Sequence, residues 1–212
     1  MPLKGIDTLL LDLGGVLIDV DYARTAHAFA SLGLTGFDLI YSKAKQTDLF
    51  DRFETGELSS EAFRQQLREL IKIEIVDADI DRCWNAMLGT IPEERIILLK
   101  RLREQYRLLL LSNTNSVHVP AFTRIIFEKN GIADLKDLFD GAYFSCEIGL
   151  RKPHREAFVH VLEQHGAMAD RTLFIDDSMQ HVEGARNAGL RAEHLDLSRE
   201  DVIQMAQRLD LL

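Results

Sequence analysis

The sequence predicts an α/β fold, a parallel sheet flanked by helices, with a helical subdomain inserted after the first strand. Three observations predict it. Four short runs are nearly all apolar, as strands buried on both faces are. Stretches of helical period separate the later runs. The first connection, from Val16 to Arg107, far exceeds the roughly a dozen residues that a crossover between parallel strands needs. In such folds ligands bind in the crevice beyond the carboxyl ends of the strands.

In chain order, Thr8–Leu11 is the first strand, closed by Asp12 and the pair Gly14-Gly15. Helical spacing follows in three segments: Ala26, Phe29 and Ala30; Phe63, Leu67, Leu70 and Ile71 behind Ser59, a residue type that caps helices; and Ile80, Trp84, Met87 and Leu88. These outline a helical cap over 21–89 and leave 1–20 and 90–212 to the α/β core. Pro92 suits a first helical position ahead of Ile96, Leu99 and Leu102. Strands are then expected at Leu108–Leu111, Ala142–Phe144 and Thr172–Ile175, with a less apolar fifth at Arg191–Leu195. Between the third and fourth, Phe158, Val161 and Leu162 mark a helix that ends at Gly166.

Composition narrows the function classes. At 212 residues, 46% hydrophobic and 28% charged, the chain is an ordinary globular protein with enough length for a core of its own. With 25 basic against 34 acidic residues the formal net charge is -9, and no basic patch interrupts it, so no nucleic-acid partner is expected. The longest pure apolar run falls far short of the roughly 20 residues of a membrane helix, so no membrane partner is expected either. Cys83 and Cys146 stand far apart in sequence without metal-ligand spacing, which signals neither a disulfide framework nor a zinc site. With no signal-peptide pattern at MPLKGID, the cytoplasm is the expected compartment. A monomer or weak dimer is expected.

Polar residues follow each strand where the fold would make them converge: Asp12, then Ser112 and Asn113, then Lys152, then Asp176 and Asp177. A carboxylate among the leucines of TLLLDLGGVL is costly unless paired, hydrogen-bonded or bound to a metal. The structural alternative for Asp12 is a turn cap, and for Gly14-Gly15 a tight turn that leads into the insertion. Adjacent carboxylates in TLFIDDS repel unless a cation lies among them, and hard oxygen ligands suit Mg²⁺; one of them could instead cap the next helix. The hydroxyl of Ser112, the amide of Asn113 and the ammonium of Lys152 are donors of the kind a phosphoryl group needs as its oxygens gain charge. Taken singly, each is also a common loop or surface residue.

The order DLGGVLID, LLLSNTN, GLRKP and FIDDS resembles the four motifs of the haloacid dehalogenase superfamily, and the helical insertion resembles the cap of its subfamily I. The resemblance covers essentially the whole chain. It is nearest to the sugar-1-phosphate phosphatases and the phosphatase-like domain of soluble epoxide hydrolases. It implies a Rossmannoid core and a small phosphorylated substrate, a sugar phosphate foremost. It also implies an aspartyl-phosphate intermediate on Asp12, with Ser112 and the backbone amide of Asn113 on the phosphoryl oxygens. Lys152 would offset the charge of both, and Asp12, the carbonyl of Gly14 and Asp176 or Asp177 would hold Mg²⁺.

One position departs from the pattern. Phosphatases of this superfamily usually carry a second Asp two residues after the nucleophile as general acid and base, and this chain has Gly14 there. Asp19 and Asp21 lie nearby in sequence but are expected to serve the hinge and cap. Two other functions stay open: a metal-free dehalogenase, which an unfilled cluster of three carboxylates disfavours, and a phosphate-binding protein without turnover, which would have no need of the nucleophile. In FETGELS, Glu54, Gly56 and Glu57 suit either a loop facing the crevice or a plain turn. His27, His118, His154, His160, His165, His181 and His194 are expected as surface or core residues, and Trp84 as cap core.

Overall fold

The computed structural model describes residues 5–34 and 48–212, so part of the stretch in which the sequence places a cap, 35–47, lies outside the described residues. Five parallel strands, β1 (Thr8–Leu11), β2 (Arg107–Ser112), β3 (Gly141–Phe144), β4 (Thr172–Asp176) and β5 (Arg191–His194), form one sheet in the order β3-β2-β1-β4-β5. The first strand thus lies at the centre, paired on both edges. Its leucines alternate: Leu10 faces one hydrophobic layer with Leu109, Phe158 and Phe174, and Leu9 and Leu11 face the other with Leu110 and Ile175. All three leucines are fully buried. The expected boundaries shift by a residue or two, and the third strand differs in kind. It is an edge strand, so Gly141, Ala142 and Tyr143 are only half-buried.

The insertion between β1 and the sheet's next element contributes α1 (Tyr22–Ser31), α2 (Leu49–Glu54), α3 (Ser60–Ile71) and α4 (Asp77–Asn85). Asp21 caps α1 by accepting from the Ala23 N–H at 3.0 Å, and Ser59 caps α3 by accepting from Ala62 at 3.1 Å, which satisfies donors that a helix start otherwise leaves unpaired. The interior of the insertion is aromatic: Phe53 stacks on Phe63 at 4.0 Å between centroids, and Phe50 on Trp84 at 5.3 Å. Met87 and Leu88, expected on the helix of Trp84, lie past its end. There the chain turns back to pair with the outgoing segment: Asp21 N–H donates to Met87 O (2.9 Å), Gly89 N–H to Asp19 O (2.8 Å) and Asp19 N–H to Thr90 O (3.2 Å). Both passages between sheet and insertion therefore run side by side as one narrow, hydrogen-bonded strap.

The remaining helices are α5 (Glu93–Arg103), α6 (His118–Asn130), α7 (Ser145–Ile148), α8 (Arg155–His165), α9 (Met179–Asn187) and α10 (Val202–Arg208). Helices α8 and α9 bury Phe158, Val161 and Val182 against one sheet face, and α5, α6 and α10 bury Leu99, Ile126 and Met205 against the other. Among the described residues no helix is long and apolar enough to cross a membrane. Covering both faces leaves the carboxyl ends of β1, β2 and β4 as the place where polar side chains gather.

Candidate active site

Asp12 leaves the end of β1, and Asp176 is the last residue of β4 beside it. Lys152, from the loop before α8, inserts its ammonium between them: Nζ donates to Asp12 Oδ1 at 2.6 Å and to Asp176 Oδ2 at 2.7 Å. The side chain has no exposed surface, so the pairing is what makes a buried lysine tolerable. The other Asp176 oxygen accepts from the Ser178 N–H at 2.7 Å, and His181 Nδ1 donates to the same carboxylate at 3.0 and 3.1 Å. Burial alone would raise the Asp176 carboxyl, yet Lys152 and His181 outweigh it and hold the group below the ordinary carboxylate range. At Asp12 burial wins: it is pushed up to about 6, Lys152 opposing and Asp176 assisting. The two carboxylates in turn keep Lys152 firmly protonated in spite of its burial.

Asp177, half-buried, completes the cluster. Oxygens of Asp12, Asp176 and Asp177 lie within 4.8 Å of one another. One ammonium does not neutralise three carboxylates, and hard oxygens at this spacing form a donor set that fits Mg²⁺, with Gly14 lining the same cavity. Gly15 explains the local backbone: its φ is +75°, and a Cβ there would stand 2.3 Å from Asp177 Oδ2, so a side chain would occupy the space of that carboxylate.

The loop after β2 supplies the opposite wall. Ser112 is buried yet lines the cavity. The side chain of Asn113 is not available to a ligand: its Nδ2 donates to Lys152 O and its Oδ1 accepts from Lys152 N–H, both at 2.9 Å. Asn113 thereby clamps the backbone that delivers Lys152, and only its main chain is left for binding. Ser145 holds the next residue, accepting from Thr114 N–H at 2.9 Å and donating to Thr114 O at 3.0 Å. Asn115 Oδ1 accepts from Val117 and His118 N–H at 3.1 and 2.9 Å and so starts α6.

A cavity of about 610 Å³ joins these groups to the insertion; Asp12, Gly14, Ser112, Asn113 and Asp177 lie on its floor, and Phe50, Glu54, Trp84, Met87 and Leu88 come from the insertion. Lys152 and Asp176 stand behind the floor rather than on it, because their polar atoms are spent on each other and on neighbours. Asp19 pairs with Arg95 at 2.8 Å and Asp21 caps α1, so neither faces the reacting centre. Glu54 and Glu57 part company. Glu54 reaches the cavity, tied to Arg151 at 2.9 Å, and Glu57 is exposed on the far side of the Gly56 turn. Two histidines depart from the expectation of surface or core: His181 bonds Asp176 and lines the cavity, and His118 is a buried cavity wall. The signal available was position, since each sits within the first turn of a helix directly behind a site loop. Trp84 is both packed in the aromatic interior and part of the lining.

A model of the haloacid dehalogenase-like hydrolases matches residues 6–189. D-ribitol-5-phosphate phosphatase of Bacteroides thetaiotaomicron is 30% identical over 184 residues, which cover 87% of this chain and 89% of the relative. An HAD family enzyme of the same organism, solved in complex with magnesium and inorganic phosphate, superposes with a TM-score of 0.85 at 33% identity, covering 94% of this chain and 98% of the other. An HAD-like family hydrolase of Porphyromonas gingivalis gives a TM-score of 0.85 at 30% identity over 97% of this chain and 98% of its own.

Proposed function

We propose that this chain, which belongs to the haloacid dehalogenase-like hydrolase family, is a Mg²⁺-dependent phosphatase of small phosphomonoesters, sugar or polyol phosphates foremost. The observation that carries the reading is the convergence of Asp12, Asp176 and Asp177 around Lys152, on a cavity that also bears Ser112 and Asn113. A metal-free reaction would leave excess buried negative charge at the point where an anionic substrate must arrive.

In this reading a carboxylate oxygen of Asp12 attacks phosphorus, the bond from phosphorus to the ester oxygen breaks, and the departing alkoxide takes a proton from water. Water then attacks the aspartyl-phosphate, releasing inorganic phosphate and restoring the carboxylate. Ser112 Oγ and the Asn113 N–H donate to phosphoryl oxygens. Lys152 keeps Asp12 ionised and offsets the charge of the phosphoryl group. Asp12, the Gly14 carbonyl and the acidic pair would hold Mg²⁺, which supplies electrostatic stabilisation of phosphoryl charge. The insertion, 21–89, serves as a cap: it contributes the apolar wall that meets the leaving alcohol and excludes bulk water.

Phosphate release from ribitol 5-phosphate and p-nitrophenyl phosphate, with and without Mg²⁺, tests the proposal. Turnover should vanish with a chelator and return with Mg²⁺. Asp12→Asn should lower it by at least about 10³-fold with an unchanged thermal midpoint. Parent-level turnover by Asp12→Asn, or by the chelated enzyme, would falsify the assignment.

A further inference from the structure

His118 opens α6 at the end of the loop from Ser112 to Asn115, and its backbone is fixed by Asn115. Its ring belongs to the core, yet the insertion holds it. The imidazole stacks on Trp84 with centroids 5.5 Å apart and planes 2° from parallel, and Nδ1 lies 2.7 Å from Asn85 Oδ1. An amide oxygen has only lone pairs to offer, so Nδ1 carries the hydrogen and Nε2 does not. Burial favours this neutral form, lowering the imidazole to about 4. Among the described residues Nε2 has no hydrogen-bond partner, and the indole N–H of Trp84, stacked against it, is buried without one as well.

The surroundings give Nε2 meaning. The apolar part of the wall on the insertion side is built by Phe50, Trp84, Met87 and Leu88, with Phe122 of α6 beside them. Of its polar side chains, Glu54 is ion-paired with Arg151 and Asn115 is held by two backbone amides. An acceptor in an apolar wall costs free energy when a ligand covers it without pairing, and a hydroxyl is a group that can donate to it.

We propose that His118 Nε2, held in place by Trp84 and Asn85, is a specificity-determining acceptor for a hydroxyl on the leaving alcohol, so that the substrates are phosphates of polyols or sugars rather than of plain alkyl alcohols. The inference rests on the phosphatase reading and adds to it a reason for the preference. It also ties recognition to closure, because a core histidine is oriented by two residues of the insertion and reads the hydroxyl only with the insertion in place.

The test compares ribitol 5-phosphate with n-pentyl phosphate, which has the same carbon chain without the hydroxyls, and with p-nitrophenyl phosphate, all with Mg²⁺. The parent should favour ribitol 5-phosphate over n-pentyl phosphate by at least about tenfold in kcat/KM. His118→Phe keeps the stack on Trp84 and removes Nε2. It should cost about tenfold on ribitol 5-phosphate, mainly in KM, and less than about threefold on n-pentyl phosphate. His118→Gln, which returns an acceptor, should recover part of the loss. Single-deoxy pentitol 5-phosphates on the parent give the same answer without a variant: removing one particular hydroxyl should cost most of the preference. Equal rates on polyol and alkyl phosphates, or equal losses on both in His118→Phe, would overturn the inference and leave the phosphatase reading intact. No Mg²⁺-dependent phosphate release from any of the three esters would overturn both.

Discussion

At position 14 a hydrogen stands where phosphatases of this family usually carry a second carboxylate, and a Cβ built there would meet Val20 Cγ2 at 3.5 Å, an ordinary contact. Gly14→Asp should therefore fold. Two residues beyond Asp12, the new carboxyl should raise turnover of unactivated alkyl phosphates toward the roughly 10²-fold that general acid catalysis supplies, and leave p-nitrophenyl phosphate little changed. A rate series across leaving-group acidities would register this as a flatter slope, and an unchanged slope would refute it. His118 carries a different prediction, in stability. Its folded pKa of about 4 lies below the unfolded value of about 6.5, so the native state takes up its proton less readily than the unfolded chain. Its contribution is complete above pH 6.5, declines as pH falls from there toward 4, and is constant below. Thermal midpoints of the parent and His118→Phe across pH 4 to 7.5 should diverge in that window, the parent losing up to a few kcal/mol more. Parallel curves would show that the imidazole is not buried in the neutral form. Asp12, Ser112, Asp176 and Asp177 stood out in the sequence because they sit at or just past the ends of apolar strands, and the structure brings them together with Lys152, which comes from the loop after α7. His118 and His181 did not stand out, because a helical first turn aims a side chain at the site without any local mark in composition. The clamp of Asn113 on Lys152 joins residues 39 apart, a relation that no window along the chain contains.

At the scale of elements, the two passages between sheet and insertion pack so closely that Gly89 has no room for a side chain: a Cβ would stand 2.7 Å from Asp19 O. Gly89→Ala must push these segments apart. It should destabilise the protein by about 1–3 kcal/mol, as overpacking does, and lower turnover by changing how the insertion settles on the core. Denaturant midpoints alongside kcat and KM would check both halves of that expectation; parent-like values in each would mean that the strap yields freely. On the far side of the insertion the contacts are polar and equally close. Arg151 reaches Asp51 at 2.5 Å and Glu54 at 2.9 Å, and a Cβ at Gly56 would stand 2.5 Å from Cys146 O. The residue next to Lys152 thus holds α2, so the position of the insertion and the delivery of the lysine share one short loop. The FETGELS motif was legible as a turn, and its division into a cavity-facing Glu54 and an outward Glu57 depended on packing against α7, which lies about ninety residues further on and left no trace in local spacing.

For the whole molecule, the alternation of apolar runs and helical period was enough to foretell a parallel sheet, and the length of the first connection foretold the insertion. Strand order was not legible. Nothing in TLLL distinguishes a central strand from an edge, whereas Ala142–Phe144 reads as a buried strand until its place at the edge, where Ala142 and Tyr143 are only half-buried, is known. That central place has a consequence for how the protein is made. Strand β1 is the first of the five to be synthesised, and its two neighbours begin at Arg107 and Thr172. At roughly 5–20 residues per second, β4 follows β1 off the ribosome by on the order of ten seconds. Throughout that interval an apolar strand waits with at least one bare edge, because both strands that pair with it come later in the chain and the described residues of the insertion are helical. Asp12 is made together with β1, and the lysine that pairs with it, Lys152, follows 140 positions later, ahead of Asp176 and Asp177. The nascent chain therefore depends on late, long-range pairing to conceal its stickiest segment, the circumstance in which slow folding and recruitment of chaperones are to be expected.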